Sequence, residues 1–176
     1  ECHRFSNKRK TFYSYFKNVN LKMVAISDGL KEDLVRFGIK DSNVLVARDG
    51  VDLEEFNINI PQNKAGLPLD KKIVMYAGHL FEWKGADMLA MAASKIPEVL
   101  FVFIGGTDKE IEKFREKYKS SNILILGHKS HKEVPLYLKS ADILVLPNRS
   151  GEKISSRYTS PLKLFEYMAS GQPIVA

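Results

Sequence analysis

Cysteine is almost absent: Cys2 is the single one among 176 residues. That excludes an internal disulfide and fits a reducing compartment. No Cys/His cluster carries zinc spacing. No apolar run approaches the length of a bilayer span, and no secretory signal is visible. There is no internal repeat and no low-complexity tract, so neither a solenoid nor a disordered linker protein is indicated. What is present is ordinary for a globular protein, with 44% hydrophobic and 27% charged residues. The length suits one domain with a real core, or parts of two. The net charge of +6 favours anionic partners without choosing among nucleotides, nucleic acid and anionic lipid. The chain begins without Met and stops within the apolar run Ile174-Val175-Ala176, which reads as a strand cut short. The expectation is a piece of a longer protein.

Residues 1 to 21 open with Glu1-Cys2-His3-Arg4-Phe5, then Lys8-Arg9-Lys10 and the aromatics Phe12, Tyr13, Tyr15 and Phe16. A partly packed helix is the favoured reading. A membrane surface or a nucleic-acid arm is the alternative that basic and aromatic residues suggest. Lys22 to Ile26 reads as a buried strand, Ser27-Asp28 as the cap of a helix over Gly29 to Phe37, and Gly38 as its stop. Val44 to Ala47 is a second short strand, followed by a turn over Arg48 to Asp52. Residues 57–70 carry two prolines and little periodicity, which marks a linker.

Beyond it strands and helices alternate. Strands are expected over 72–77, 99–104, 122–126 and 142–146, and from Pro173. Helices are expected over 86–95, 108–119 and 132–139, and after Ser160. Short apolar strands alternating with helices imply an α/β fold, a Rossmann-like doubly wound parallel sheet covered on both faces.

The segment Ser160 to Pro173 is the best-marked helix. Ser160 suits the cap, Pro161 the first position, and Gly171 and Pro173 the stop. Leu162, Phe165 and Ala169 share one face, widened by Leu164 and Met168. Lys163, Glu166, Tyr167 and Ser170 form the other stripe. A lysine in the first turn opposes the helix dipole unless an anion sits there. The plain alternative is a solvated Lys163–Glu166 pair.

Ligands of such sheets bind beyond the carboxyl ends of the strands. After the first strand of the alternating region comes Gly78-His79-Leu80-Phe81-Glu82-Trp83-Lys84-Gly85. There Gly78 allows close approach, and His79 and Lys84 can meet a polyanion. Gly105-Gly106-Thr107 reads as a tight strand-to-helix turn. Gly127-His128-Lys129-Ser130 could meet a base edge. The polar stretch 147–159 is long enough to be a functional loop and brings Arg157, Tyr158 and Thr159 to the helix start.

From Val24 to Ala176 these residues resemble the GT-B fold glycosyltransferases of family 4, or group 1. The resemblance rests on Val24-Ala25-Ile26-Ser27, Leu30 to Leu34 and Asp49-Gly50-Val51-Asp52. It rests further on Gly78 to Gly85, on Gly127 through Pro147 and, most specifically, on Ser160 to Ala176. It implies that 1–56 ends the acceptor-side N-terminal domain, that 57–70 is the interdomain linker, and that 71–176 is an incomplete nucleotide-sugar-binding domain. The implied activity is hexosyl transfer from a nucleoside diphosphate sugar to an acceptor hydroxyl, with retention and without metal or cofactor. The acceptor would be a glycan, a lipid or a small molecule, as in polysaccharide biosynthesis.

The resemblance also implies roles for single residues. Lys84 would hold the donor diphosphate and stabilise the leaving group. His79 stands where the family usually has arginine. Glu166 matches the second of the family's paired glutamates and would bind the ribose hydroxyls, while Tyr158 occupies the place of the first. The backbone at Thr159 and Ser160, with Pro161 and Leu162 following and Lys163 and Arg157 near, would bind phosphate. His128 and Lys129 would face the base. His3 matches the histidine that many members carry beside the donor sugar. The implied place is the cytoplasm, with contact to the inner membrane face left open and no nucleic acid as partner. Two other readings share the architecture: a donor-site domain without transfer activity, marked by Tyr158, and a sugar-nucleotide epimerase, which would need acid–base carboxylates.

Overall fold

The computed structural model describes residues 5, 8, 10–19, 21–59, 64–68, 70–147 and 162–176, with Trp83 described by its backbone alone. The chain divides into two units. One is built on residues up to Gly50, and the other comprises Val51–Arg149 and Lys163–Ala176.

In the first unit, helix α1 (Lys10–Lys17) turns Tyr13 inward, where its ring packs 5.0 Å from that of Phe5. Two short parallel strands, β1 (Met23–Ala25) and β2 (Val44–Val46), flank helix α2 (Asp28–Phe37). Ser27 caps α2 as its sequence predicts, accepting from Leu30 N at 3.2 Å, and Gly38 ends it in the left-handed region at φ +109°.

The second unit follows the alternating pattern. Its elements are β3 (Lys72–Ala77), α3 (Ala86–Ala93), β4 (Val99–Ile104), α4 (Asp108–Lys117), β5 (Ile123–Gly127), α5 (Val134–Ser140), β6 (Ile143–Val145), α6 (Leu162–Ser170) and β7 (Ile174–Val175). All five strands are parallel, in the order β5-β4-β3-β6-β7. Successive residues of a strand face opposite ways. Ile73, Met75, Val102 and Leu144 therefore join Leu138 of α5 and Tyr167 of α6 in one core. Tyr76, Phe101, Phe103 and Ile125 join Leu89 of α3 and Phe114 of α4 in the other. Each large apolar side chain so buried contributes roughly 1.5–3 kcal/mol. Both faces of the sheet are covered, as expected of a doubly wound fold. No helix among the described residues is long and apolar enough to cross a membrane.

Three local features differ from the sequence reading. Helices α3 and α4 each stop two residues early. Lys95 N bonds Ala92 O at 3.0 Å, a tightened last turn, and the Tyr118 ring folds back onto Phe114 at 4.8 Å. The units part at Gly50, ahead of the stretch 57–70. Phe56 and Leu67, each 5% exposed, lie in the core of the second unit, and Lys139 Nζ donates to the carbonyls of Phe56 and Ile58 at 2.8 Å. The third is the orientation of α6. Its most buried residues are Tyr167 at 0% and Ser170 at 4%, while Leu162 and Met168 are 42% and 62% exposed. Tyr167 and Ser170 of the polar stripe face inward, together with Leu164 and Ala169 of the apolar one. The reason is the reach of tyrosine: Tyr167 Oη accepts from Ala77 N at 2.9 Å, beyond the last β3–β6 register pair, Met75↔Leu144.

Tyr167→Phe leaves the buried Ala77 N–H without that acceptor, a loss of about 1–3 kcal/mol. A fall of roughly 5 °C in the thermal unfolding midpoint is the expected outcome; an unchanged midpoint would show that the bond contributes nothing.

Candidate functional site

The sheet order reverses between β3 and β6, the point at which such sheets take ligands. The backbones of the loops that leave these two strands touch there. Gly85 sits at φ +78° at the start of α3, and a Cβ on it would lie 1.6 Å from the carbonyl oxygen of Pro147, two residues past β6. A side chain at this position has no room, so glycine is what lets the loops close.

The second contact brings a lysine to the end of β3. Lys163, in the first turn of α6, lays its ammonium beside Gly78, where a Cβ would stand 2.2 Å from Nζ. Gly78 takes φ +144° and donates its N–H to Ile104 O at 2.7 Å. Lys163 Nζ lies 3.0 Å from Tyr76 Oη and 4.3 Å from the centroid of that ring. Tyr76 Oη in turn donates to His79 O at 2.7 Å. Burial pushes the Lys163 ammonium down to about 7, the charge of Lys84 adds to the fall, and Glu166 opposes it. Lys84 closes the short 3-10 turn Glu82–Lys84, and burial lowers it as well. Two partly desolvated cations at one crevice are unfavourable alone and become favourable around a polyanion.

Glu166 stands one turn beyond Lys163. Burial pushes its carboxyl above the usual range, His131 and Lys163 act against that rise, and Glu55 adds to it. His131 Nε2 and Glu55 Oε2 pair at 3.2 Å. Neither residue was singled out by the sequence. Glu55 lies in the stretch assigned to the other domain, and a histidine two positions after Lys129 carries no motif.

His79 is held elsewhere. Its Nδ1 lies 3.2 and 3.3 Å from the two oxygens of Glu110 in α4, and its ring stacks on Phe81 at 5.1 Å. Burial works to raise the Glu110 carboxyl, but bonds from Leu80 N, His79 and Thr107 outweigh it and bring the group below its ordinary value. A cavity of about 470 Å³ between Leu80–Glu82 and α4 opens on this side and is lined by neither Lys84 nor Lys163. Thr107 is the N-cap of α4, accepting from Glu110 N at 3.4 Å, which fits the strand-to-helix turn read there. Lys129 follows the edge strand β5, with Nζ 5.2 Å from the Tyr137 ring. Leu162 opens α6 with its side chain 42% exposed. The structure thus brings Gly78, Lys84, Lys163 and Glu166 into one electrostatic neighbourhood and pairs His79 with Glu110. His3, Arg157, Tyr158, Thr159, Ser160 and Pro161 lie outside the described residues.

The sequence profile of the family described as glycosyl transferases group 1 matches residues 58–176. A D-inositol 3-phosphate glycosyltransferase of Xylanimonas cellulosilytica is 27% identical over 180 residues, covering 88% of this chain and 42% of that protein. One of the same description from Mycobacterium tuberculosis (strain ATCC 25177 / H37Ra) is 25% identical over 165 residues, covering 88% of this chain and 33% of that protein. The chain therefore spans less than half the length of these relatives. Among solved structures, Anabaena HepE in complex with UDP and glucose superposes with a TM-score of 0.72 at 18% identity, over 98% of this chain and 48% of that one. WaaG, a glycosyltransferase involved in lipopolysaccharide biosynthesis, gives 0.67 at 17% identity, over 96% and 49%.

Proposed function

The chain belongs to the group 1 glycosyl transferases, and from that premise we propose that its crevice holds the diphosphate of a nucleoside diphosphate sugar for transfer of the sugar to an acceptor hydroxyl. The observation that carries this reading is the Lys163 ammonium beside Gly78 at the β3/β6 reversal, near enough to Lys84 for the two charges to act on each other. The complexes of HepE with UDP and with UDP-glucose support the choice of donor class.

In the reaction the bond from the anomeric carbon to the diphosphate oxygen breaks, and a bond to the acceptor oxygen forms. The acceptor hydroxyl passes its proton to an oxygen of the departing diphosphate as the new bond forms. Negative charge grows on the departing diphosphate. Lys84 acts as the catalytic cation, with Lys163 beside it. Both interactions strengthen as the charge develops, so they lower the barrier rather than merely tighten binding. The N–H groups that open a helix such as α6 favour an anion as well. Glu166, with its carboxyl one turn further on, accepts from the ribose hydroxyls. Retention at the anomeric carbon and a hexosyl donor belong to this proposal, as does an acceptor glycan, lipid or small molecule. Contact with an inner membrane face is part of it only as a place where such acceptors are found. The backbone of Thr159 and Ser160, with Arg157, is assigned to the phosphates, Lys129 to the base, and His3 to the donor sugar.

Calorimetric titration of the folded chain with UDP, GDP and ADP tests the reading. Saturable binding of at least one of them, competed by pyrophosphate, is expected. Folded protein that responds to none of the three would overturn it.

A further inference from the structure

Tyr76 is fully buried on the α3/α4 side of the sheet, with its ring 6.1 Å from that of Phe103. A phenylalanine would fill the same space. The hydroxyl needs another explanation, because a buried polar group destabilises unless it is bonded. Here it is bonded twice. It donates to the His79 carbonyl at 2.7 Å, and that bond fixes its hydrogen and aims its lone pairs at Lys163 Nζ, 3.0 Å away. The ring face lies under the same ammonium at 4.3 Å. Lysine carries a flexible four-carbon stem and does not place its charge by itself. Around it, Lys84 repels that charge and Glu166, on its own helix, attracts it. Tyr167, also buried, binds Ala77 N instead.

We propose that Tyr76 is a positioning residue for donor binding: its hydroxyl and ring together hold the Lys163 ammonium over Gly78, at the carboxyl edge of the sheet, where it meets the donor's phosphates. This rests on the phosphate role assigned above to Lys163. Tyr76 touches no ligand and acts through the lysine. It also ties the lysine to the loop that follows β3, since the same hydroxyl bonds the His79 carbonyl. Displacement of that loop and displacement of the lysine are then one event.

The test uses Tyr76→Phe in the whole chain, alone and combined with Lys163→Met. Phenylalanine keeps the ring and its packing on Phe103, and thermal unfolding checks that the fold persists. UDP affinity by calorimetry is expected to fall about threefold to tenfold in the single variant, the range of one lost hydrogen bond. In the Lys163→Met background the same change is expected to have no further effect, because the two act as one unit. A second readout needs no nucleotide. The pH dependence of Lys163 acetylation by acetic anhydride, followed by mass spectrometry, is expected to show a midpoint lowered by about half a unit or more, since an acceptor of the charged form has been removed. Equal weakening with and without Lys163, or an unchanged acetylation profile, would overturn the proposal. A wild-type chain that binds no UDP would count against the glycosyl-donor reading, while the acetylation profile still decides whether Tyr76 holds Lys163.

Discussion

Raising the pH from 7 to 9 is expected to weaken UDP binding by about tenfold or more while it stabilises the unliganded chain. Both effects come from Lys163, and their signs are opposite. In the free chain burial and Lys84 hold the ammonium at about 7, against an ordinary value of 10.5. A bound diphosphate favours the charged form, so binding takes up a proton, and affinity falls as the pH rises above the free value. UDP itself gains its second terminal charge near pH 6, below this window. In the unfolded chain the lysine keeps its ordinary affinity. Between about pH 7 and 10.5 the unfolded state therefore binds more protons than the folded one, and folding stability rises with pH.

Lys163→Met is expected to flatten both curves. Lys84→Met removes one ammonium and is expected to weaken UDP at pH 7 by roughly tenfold to a hundredfold, the range of a hydrogen bond to a charged group. It also relieves the repulsion on Lys163, so the break in the pH profile moves to higher pH. Calorimetry in buffers of different ionisation enthalpy measures the proton uptake directly. A flat wild-type profile, or one that Lys163→Met leaves unchanged, would remove Lys163 from the binding site.

The sheet was readable because its signals are local. Strands β3, β4 and β5 are short apolar runs that end at Gly78, Gly105 and Gly127, and burial on both faces of a parallel sheet demands such apolar runs. β3 and β4 fall on their expected residues. Lys163 stood out in the sequence because a cation in a first helical turn asks for an anion, and the structure sets it near Lys84. The orientation of α6 was not readable. Periodicity ranks residues by polarity, and it grouped Leu162 and Met168 with the apolar face and Tyr167 and Ser170 with the polar stripe. The helix buries the tyrosine because its hydroxyl reaches a backbone N–H that no strand serves. His79 shows the same limit. A loop histidine has no period, and its partner Glu110 lies 31 residues away across a crossover. Glu55 and His131, whose charges reach Glu166, come together only after the segment before β3 has packed on the core through Phe56.

Two glycine variants separate the scaffold of the crevice from its charge. Gly85→Ala would set a Cβ 1.6 Å from the Pro147 carbonyl oxygen and 2.7 Å from its carbon, at a φ of +78°. The obstacle is backbone anchored by β6, and no side-chain rotation relieves it. The loops after β3 and β6 have to separate, which strands Ala86 and its neighbours on α3 outside their core. A loss of about 4 kcal/mol is expected, at the upper end for single substitutions, with an unfolding midpoint lower by roughly 10 °C. Gly78→Ala meets a different obstacle, the far end of the Lys163 side chain at 2.2 Å and 2.5 Å. That end can swing aside, at the cost of its bond to Tyr76 and of its place at the strand end. The variant also carries strain from φ +144°, smaller than a backbone collision. It is expected to keep most of its stability and to lose most of its affinity for UDP. Thermal unfolding and calorimetry on the same two proteins read this out. If Gly78→Ala binds UDP as the wild type does, the ammonium beside the end of β3 has no part in holding phosphate. If Gly85→Ala is as stable as the wild type, the two loops are not locked together at the reversal of the sheet.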